Sequence, residues 1–363
     1  MAYTETAYTE KILEIKDLSI SFQTSAGTVN AIRGVNLDLH RGETLAIVGE
    51  SGSGKSVTVK SIMGITSKNE HVNHGEILYT YEENGEKVTR NLLSLPRKQI
   101  IRHYCGQRIA MVFQDPMTSL NPTMSIGKQV MEGIRKHRKM NRKDAWNEAV
   151  NLLTQVGIVN PEHVMKSYAH QLSGGMRQRV VIAIAIGCNP DILICDEPTT
   201  ALDVTIQARI LELIQKLQKQ RNLSIIYITH DLGVVAKVAN TVAIMYAGKI
   251  VEKGTSYEVF YDPKHPYTWG LLSAIPSLDS DGERLYTIPG SPANLLHEVK
   301  GDAFAPRNRY ALNIDFEEEP PVFKISDTHE ASTWLLHPDA PEVHPPIGLQ
   351  KRIQQTLQEG LFI

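Results

Sequence analysis

GESGSGKS, at residues 49–56, is the segment from which the architecture of this chain can be inferred, because it fits the pattern GxxxxGK[ST]. It directly follows Thr44–Val48, a short apolar run that we interpret as a buried strand. The glycines allow backbone N–H groups to turn toward phosphate oxygens, and the helix expected next adds the positive end of its dipole. A chance glycine-rich turn is the alternative, which this strand–loop–helix context disfavours. The phosphate-binding residues predicted here are Gly49, Glu50, Ser51, Gly52, Ser53, Gly54, Lys55 and Ser56.

Two carboxylates stand at the end of another apolar run, at residues 192–195. A carboxylate at the end of a strand beside a phosphate loop suits Mg²⁺, which takes few protein ligands and keeps several waters. We therefore predict that Ser56 and Asp196 hold Mg²⁺, and that Lys55 reaches the β- and γ-phosphates of a nucleotide. Glu197, the next residue, is expected to orient and polarise the attacking water. Taken alone, a buried strand that ends in acids is a weak signal.

Further short apolar runs follow along the chain, with helical patterns between some of them. These runs lie at residues 109–113, 192–195, 225–229 and 242–246. One intervening segment has apolar residues at helical spacing, which gives it a single apolar face. Its apolar positions are Ile206, Ile210, Leu213, Ile214 and Leu217. Strands that alternate with helices predict an α/β fold, here a P-loop NTPase core with a mostly parallel sheet.

Three other regions depart from this alternation. Residues 12–22 alternate as a strand does, and residues 29–39 are the expected partner, which together predict an antiparallel β subdomain. Residues 122–171 are polar and helical in pattern, as an inserted helical subdomain would be. From residue 264 prolines cluster, and long helices are absent until residues 349–357. We therefore predict a nucleotide-binding domain over residues 1–262 and a small irregular C-terminal extension over residues 263–363.

The composition places limits on the class of protein. The chain has 363 residues, a formal net charge of −2 and 21% charged residues, which is ordinary for a globular protein and lacks the basic excess of a nucleic-acid binder. The basic stretch at residues 135–143 is open to two readings, a nucleic-acid patch or the solvated face of a helical region. We favour the second, because the stretch stands alone in a slightly acidic chain. No nucleic-acid partner is expected.

The cysteines and the apolar runs bear on the compartment of the chain and on whether it crosses a membrane. Cys105, Cys188 and Cys195 are odd in number and never spaced as CxxC, and the start MAYTETAYTEK has no apolar core of a signal peptide. We expect a reducing, cytosolic setting, with Cys195 as a small core residue rather than a reactive thiol. The apolar run at residues 180–186 is far shorter than the roughly 20 residues of a membrane span. If the chain drives transport, other subunits must supply the path.

A second anion-binding element precedes the strand at residues 192–195. Ser173, Gly174 and Gly175 open a predicted helix whose N-terminus can face a phosphate. An ordinary helix cap is the alternative for this tripeptide alone. In this order and spacing, LSGGM at residues 172–176 resembles the signature motif of ABC ATPases, LSGGQ. Met176 replaces the family's glutamine, which puts the side-chain contact in question but not the backbone one.

The remaining motifs of the ABC ATPases are present in order. Gln114 matches the glutamine that in the family senses Mg²⁺ and the transport subunit, and residues 201–203, which end in Asp203, match the D-loop. His230 follows the run at residues 225–229 and matches the switch histidine, a γ-phosphate sensor in the family. Phe22 sits where the family places an aromatic ring against adenine, with a plain core aromatic as the alternative. The resemblance thus implies Glu197, His230 and Gln114 as the catalytic set.

From residue 264 the sequence resembles the extension found on ATPases of oligopeptide, dipeptide and nickel permeases, so that the resemblance covers nearly the whole chain. The matching stretches are KHPYT at 264–268, IPGSP at 288–292, FAPR at 304–307, EEPP at 318–321 and WLLH at 334–337. QLSGGMRQRVVIAIAI at residues 171–186 and CDEPTTALDVTIQ at residues 195–207 favour the D type of oligopeptide-permease ATPase.

One departure from these relatives concerns an iron–sulfur cluster. Many of them carry four cysteines in the extension, where this chain has Asp302, Asn308, Asp315 and Thr333. Clusters need thiolates, so we predict no iron–sulfur cluster. An oxygen-ligand metal site at Asp302 and Asp315 is a conceivable alternative. The acidic run at residues 317–319 is expected to be a solvated loop.

The resemblance implies an ATP-hydrolysing subunit that uses Mg²⁺ and ATP to energise the import of oligopeptides. It implies a peripheral place on the cytoplasmic face of the membrane. The implied partners are a paralogous F-type ATPase subunit, two transmembrane permease subunits and an extracellular or lipid-anchored peptide-binding protein. Three alternatives remain: an importer of dipeptides, nickel or another small substrate, a soluble ABC ATPase of DNA repair or translation, and a non-catalytic regulatory cassette. The last is disfavoured because Lys55, Asp196, Glu197 and His230 are intact.

Overall fold

Two β-sheets and a set of helices organise the chain in the computed structural model, which describes residues 10–200, 202–275, 287–297 and 299–359. The strands within these ranges are β1 Lys11–Thr24, β2 Gly27–His40, β3 Thr44–Val48, β4 Glu70–Glu83, β5 Glu86–Asn91, β6 Ile109–Val112, β7 Ile192–Asp196, β8 Ser224–Thr229, β9 Thr241–Tyr246, β10 Lys249–Thr255, β11 Phe323–Lys324 and β12 Glu330–Ala331. The helices are α1 Lys55–Ile62, α2 Arg97–His103, α3 Pro116–Ser119, α4 Ile126–Arg138, α5 Arg142–Gln155, α6 Pro161–Lys166, α7 Gly174–Ile186, α8 Val204–Arg221, α9 Leu232–Val238, α10 Ser256–Tyr261, α11 Pro266–Ser273 and α12 Ile347–Glu359.

The larger sheet has the strand order β11-β12-β10-β9-β3-β8-β7-β6. Strands β9, β3, β8, β7 and β6 run parallel to one another, and their apolar runs are buried on both faces. Val48 pairs with Thr229, and Asp196 pairs with Ile228, so the carboxyl ends of β3, β7 and β8 meet at one edge. Ligands of open α/β sheets bind at this edge. The α/β fold expected from the sequence is confirmed.

The smaller sheet has the order β2-β1-β4-β5 and is antiparallel throughout. Ile20 pairs with Ile32, and Phe22 pairs with Val29, so the two strands expected at residues 12–22 and 29–39 are partners. Their apolar face shares one core with α1 and the inner strands, which includes Ile47. Because the phosphate loop lies between β3 and α1, this shared core fixes the base of the loop.

Helices fill the region between β6 and α7. Val130, Ile134, Leu152 and Leu153 are buried together, which is the apolar content that holds α4, α5 and α6 on one another. The basic stretch at residues 135–143 lies at the end of α4 and the start of α5, and most of it is exposed or half-buried, as on a solvated face. Within it, Arg138 is paired with Glu148 at 2.6 Å. The bounds of a helical subdomain at residues 122–171 stay a prediction.

The C-terminal segment is built onto the larger sheet. Strand β12 pairs with β10 through Glu252 and Ala331, which extends the sheet beyond its parallel part. Tyr267 and Phe304 are buried in the same apolar cluster as Val48, so the core continues across the boundary expected near residues 261–265. The domain boundary at residue 262 therefore stays a prediction, because described residues on both sides of it share one apolar core.

The acidic run at residues 317–319 is exposed, as expected of a solvated loop. Within it, Glu319 pairs with Arg33 at 3.5 Å and with Lys249 at 2.5 Å. No helix within the described parts of the chain is long and apolar enough to cross a bilayer. The predicted lack of a signal peptide concerns a start whose first nine residues lie outside the described ranges.

His265 predicts how stability responds to pH. The side chain is fully buried, and burial lowers the pKa of its imidazole from 6.5 to about 3. Between these values the unfolded chain binds a proton that the folded chain does not, so acidification from pH 6.5 weakens folding, by at most about 1.4 kcal/mol per pH unit. Asp302, whose pKa burial raises to about 6, acts in the opposite direction from about pH 4 to 6.

The test compares variants, since their difference isolates His265. Asn in His265→Asn can replace Nδ1 as the acceptor of the Tyr267 N–H at the start of α11. Urea unfolding at pH 7, 6 and 5 is expected to show a shallower pH dependence in this variant than in the parent chain. His344→Asn is the control, because the His344 side chain is 68% exposed. Equal slopes in the parent and in His265→Asn would show that His265 does not couple pH to stability.

Candidate nucleotide site

The phosphate loop is shaped by close approach of its backbone to β9. A Cβ at Gly49 would lie 2.1 Å from the carbonyl oxygen of Met245, so no side chain fits there. Gly54 has φ 110°, a left-handed conformation that glycine adopts without strain, and it precedes the first turn of α1. The Ser53 carbonyl accepts a hydrogen bond from the Gly248 N–H at 2.8 Å. The loop is therefore held against the edge of the sheet at the N-terminus of α1, a position at which anions can bind.

Lys55 is buried and lies within this loop. Its Nζ donates to the carbonyl oxygens of Gly49 at 2.7 Å and Glu50 at 2.9 Å. Burial lowers the pKa of the Lys55 amine, although the nearby carboxylates of Glu197, Asp196 and Glu50 act in the opposite direction. A buried ammonium that contacts only neutral carbonyl oxygens retains the positive charge with which a phosphate group could pair.

Ser56 and Asp196 come together as the sequence predicts. The Ser56 hydroxyl donates to Asp196 Oδ1 at 3.1 Å, although the two residues are 140 positions apart. Burial raises the pKa of the Asp196 carboxyl, and the Ser56 hydroxyl and the Lys60 and Lys55 amines lower it. One hydroxyl and one carboxylate side by side fit a Mg²⁺ that keeps waters and phosphate oxygens as its other ligands. This donor pair suits the metal without a dedicated cage, and among the described residues no group of three or more acidic, His or Cys side chains is arranged so that it could hold a metal ion.

Glu197 is the centre of the predicted catalytic set. Its Oε2 accepts from Gln114 Nε2 at 2.8 Å and from the Thr200 hydroxyl at 3.1 Å, and its Oε1 contacts His230 Nδ1 at 3.1 Å. Its φ of 46° is left-handed, which is uncommon for a residue with a side chain and costs of order 1–3 kcal/mol. The neighbouring residues hold this strained conformation, because the Glu197 N–H donates to the Ile228 carbonyl at 2.9 Å. Strain of this kind clusters at functional sites.

The signature residues lie on a different element. The Ser173 hydroxyl caps α7 by accepting from the Met176 N–H at 3.3 Å, so the tripeptide does open a helix. A Cβ at Gly175 would lie 2.8 Å from Ile206, which shows how closely the start of α7 packs on α8. Ser173 and Gly174 themselves are exposed. Both are therefore accessible at the surface of the chain.

Asp203 and Phe22 occupy two different surroundings. Asp203 is exposed and caps α8 by accepting from the Ile206 N–H at 2.9 Å. The next residue, Val204, is 81% exposed, although it is apolar. Phe22 lies near the end of β1 and is half-buried against the core under the smaller sheet. Ala201, the first residue of the predicted D-loop, lies outside the described residues.

Two residues that contact the phosphate loop were not predicted. The Tyr267 hydroxyl accepts a hydrogen bond from the Glu50 N–H at 2.9 Å, and Arg307 contacts the Glu50 carboxylate at 2.5 and 3.0 Å. Both residues belong to stretches that resemble the permease extension, but nothing in their spacing indicates contact with a loop more than 200 positions earlier. Their contacts with the loop are visible only in the tertiary structure.

The four positions matched to cysteines in relatives are all buried. Asp302, Asn308, Asp315 and Thr333 are each at most 9% exposed. The Asp302 N–H donates to the Asp315 carbonyl at 2.7 Å, which joins two of the positions. Their side chains offer oxygen and amide groups and no thiolate, so they do not fit an iron–sulfur cluster. Asp302 and Asp315 are not part of any group of three or more acidic, His or Cys side chains that could hold a metal ion among the described residues.

The fold and site together define a nucleotide-binding cassette of the ABC transporter class. Residues 32–200 match the family model described as ABC transporter, and residues 251–314 match the model described as the C-terminal region of oligopeptide and dipeptide transporters. A solved dimer of the ABC cassette MJ0796 in a post-hydrolysis state, bound to ADP and Pi, covers 67% of this chain and 98% of its own, with a TM-score of 0.58 and 26% identity.

Curated relatives narrow the class. The chain is 56% identical to the oligopeptide transport ATP-binding protein OppD of Bacillus subtilis over 95% of this chain and 94% of the relative. It is 58% identical to the dipeptide transport ATP-binding protein DppD of Lactococcus lactis subsp. cremoris over 94% and 96%. The chain belongs to the family of ATP-binding proteins of oligopeptide and dipeptide ABC transporters. The resemblance inferred from the sequence motifs is thereby confirmed.

Proposed function

We propose that this chain binds and hydrolyses ATP to energise the import of oligopeptides through a membrane ABC transporter. The observation that carries the proposal is the meeting of Gln114 and His230 on the carboxylate of Glu197, beside the Ser56–Asp196 pair. These side chains come from four elements of the chain and converge at the carboxyl edge of the parallel sheet. The family and its relatives supply the transport setting.

The loop residues carry the binding step in this proposal. N–H groups within residues 51–56 and the Lys55 ammonium surround the phosphates, and Lys55 exchanges its two carbonyl contacts for phosphate oxygens. Ser56 and Asp196 would hold Mg²⁺, which neutralises phosphate charge when it is bound. Phe22 is proposed as the aromatic surface for the adenine base.

Hydrolysis is then a matter of positioning and charge. Glu197 orients a water for attack in line with the γ-phosphate, since a carboxylate has about four acceptor sites and its present partners leave room for a water. Gln114 and His230 fix the carboxylate from its two sides, and each can exchange that contact for the metal or the γ-phosphate. Phosphoryl transfer requires little more than this arrangement of charges, which the described geometry supports.

A second chain completes the site in this proposal. Ser173, Gly174, Asp203 and the apolar Val204 are exposed on one chain, so they are available to contact a nucleotide and a subunit opposite. We propose a paralogous F-type ATPase as that subunit. Two transmembrane permease subunits would contact the helices of residues 122–171 and the Gln114 loop, which gives this chain a peripheral place at the cytoplasmic side of the membrane. An external peptide-binding protein would deliver the substrate.

Copurification and uptake test the proposal together. The chain is expressed with its neighbouring permease and ATPase subunits, and the complex is placed in proteoliposomes with its peptide-binding protein. We expect ATP hydrolysis that depends on Mg²⁺ and rises with bound peptide, and accumulation of peptide inside vesicles. A complex that hydrolyses ATP without any peptide movement would contradict the transport role.

Dipeptide import is a second candidate, favoured by the 58% identity to a dipeptide transport ATP-binding protein. Substrate length is a property of the binding protein and the permease subunits in such complexes. Mass spectrometry of ligands bound to the copurified complex would separate the two, because di- and oligopeptides differ in mass.

A further inference from the structure

The phosphate loop is held from outside the cassette by a buried arginine. Arg307 Nη1 donates to Glu50 Oε2 at 2.5 Å and Nη2 donates to Glu50 Oε1 at 3.0 Å. Two parallel charge-assisted bonds of this kind fix both position and orientation. Glu50 is the second residue of the loop, and Arg307 lies 257 positions later in the C-terminal extension. The extension therefore binds the loop directly.

Arg307 is itself immobilised. Its side chain is only 5% exposed, its Nε donates to the Pro289 carbonyl at 2.8 Å, and its Nη1 also contacts the Tyr246 hydroxyl at 3.3 Å. The guanidinium lies 5.7 Å from the centre of the Tyr246 ring. These partners fix the position of the guanidinium. The position of Glu50 in the phosphate loop is therefore set by Arg307.

A second anchor on Glu50 comes from the same part of the chain. The Tyr267 hydroxyl accepts from the Glu50 N–H at 2.9 Å, and this N–H is therefore not directed at a phosphate. Tyr267 packs on Tyr246 with ring centres 4.7 Å apart and on Phe304 at 5.3 Å. Phe304 directly precedes the short turn Ala305–Arg307. The two anchors thus belong to one aromatic cluster that is fully assembled only when the extension is in place.

Glu50 links these anchors to the lysine that binds phosphate. Its carbonyl oxygen accepts from Lys55 Nζ at 2.9 Å, and its carboxylate is one of the charges that act on the Lys55 amine. Without a cation beside it, that carboxylate would stand close to the nucleotide phosphates and oppose their binding. Arg307 both neutralises this charge and fixes the carbonyl that places Lys55.

We propose that Arg307 is a positioning residue for ATP binding, which acts through Glu50 and makes the C-terminal extension part of the nucleotide site. The proposal rests on the proposed function, since it concerns the same loop and the same ligand. It assigns to the extension a role that needs neither cysteines nor a cluster. It also predicts that a change in the position of the extension changes the affinity of the chain for ATP.

A double-mutant cycle on the full chain tests the proposal, with Mg²⁺–ATP binding measured by isothermal titration calorimetry. Arg307→Ala is expected to weaken ATP affinity about tenfold, because an unpaired carboxylate remains beside the loop. In the Glu50→Gln background, Arg307→Ala is expected to change ATP affinity less than about threefold, since the carboxylate that Arg307 pairs with is absent. Lys300→Ala is the control, because it removes one positive charge from an exposed position of the same extension.

The outcomes separate the possible errors. Equal effects of Arg307→Ala in both backgrounds, or parent-like affinity of Arg307→Ala, would overturn the positioning role. If the parent chain bound no ATP, the proposed function itself would fail. Should circular dichroism show that Arg307→Ala is unfolded, the cycle is run with Arg307→Lys, which keeps the charge but lacks the paired geometry. Its effect is then expected to be smaller and still confined to the background with Glu50.

Discussion

Lys55→Ala is expected to weaken ATP binding at least about 30-fold, because it removes charge-assisted hydrogen bonds of about 2 kcal/mol or more. The Lys55 ammonium is buried among carbonyl oxygens of the phosphate loop and near three carboxylates, so no other cation of the loop can replace it. Calorimetric titration of the full chain with Mg²⁺–ATP measures the change directly.

The control for this prediction is Lys68→Ala, at an exposed lysine in the turn before β4. It removes the same charge from an exposed position and is expected to leave affinity unchanged. Circular dichroism of Lys55→Ala should match the parent, since the lysine contacts backbone carbonyls of the loop and its removal leaves the apolar core unchanged. If Lys55→Ala bound ATP as tightly as the parent, the lysine would have no role in phosphate binding.

Glu197→Gln is expected to lower the ATP turnover of the assembled complex by about 10²–10⁴-fold, the usual contribution of general acid–base groups. The amide has the same shape as the carboxylate, so the contact with Gln114 at 2.8 Å can persist, but it no longer polarises a water. ATP affinity is expected to stay within about twofold of the parent, because the loop and Lys55 are unchanged. Turnover is measured by phosphate release and affinity by calorimetry.

Glu212→Gln serves as the control for Glu197→Gln, because Glu212 is exposed on α8. It should leave turnover at the parent rate. A Glu197→Gln complex that hydrolysed ATP at the parent rate would show that another group activates the water. Loss of ATP affinity together with turnover would instead indicate that the left-handed conformation at Glu197 depends on the charge.

Much of the parallel core could be predicted because its signals are local. The run Thr44–Val48 is a strand with the predicted bounds, and the paired strands at residues 12–22 and 29–39 are found within β1 and β2. Short, fully buried strands leave long apolar runs in a sequence, and a glycine-rich loop between strand and helix has few other uses. The ABC class followed from the order of several motifs.

The sequence predicted which residues form the candidate site, but not the contacts among them. The sequence named Gln114, Glu197 and His230, whereas their shared contact follows from the parallel order of β6, β7 and β8. The strained conformation at Glu197 carries no mark in the sequence, because a glutamate there is not a residue that favours positive φ. The roles of these residues stay predictions until they are measured.

The sequence by itself determined the class of protein and predicted the phosphate loop and the residues around it, since each of these is marked by a short motif whose own residues are adjacent in the chain. Only the tertiary structure decided that the extension shares the core of the cassette, that Glu319 bridges Arg33 and Lys249, and that Arg307 binds Glu50. Contacts between residues far apart in the sequence depend on how the whole chain packs, and no local pattern records which of the exposed or buried charges will meet.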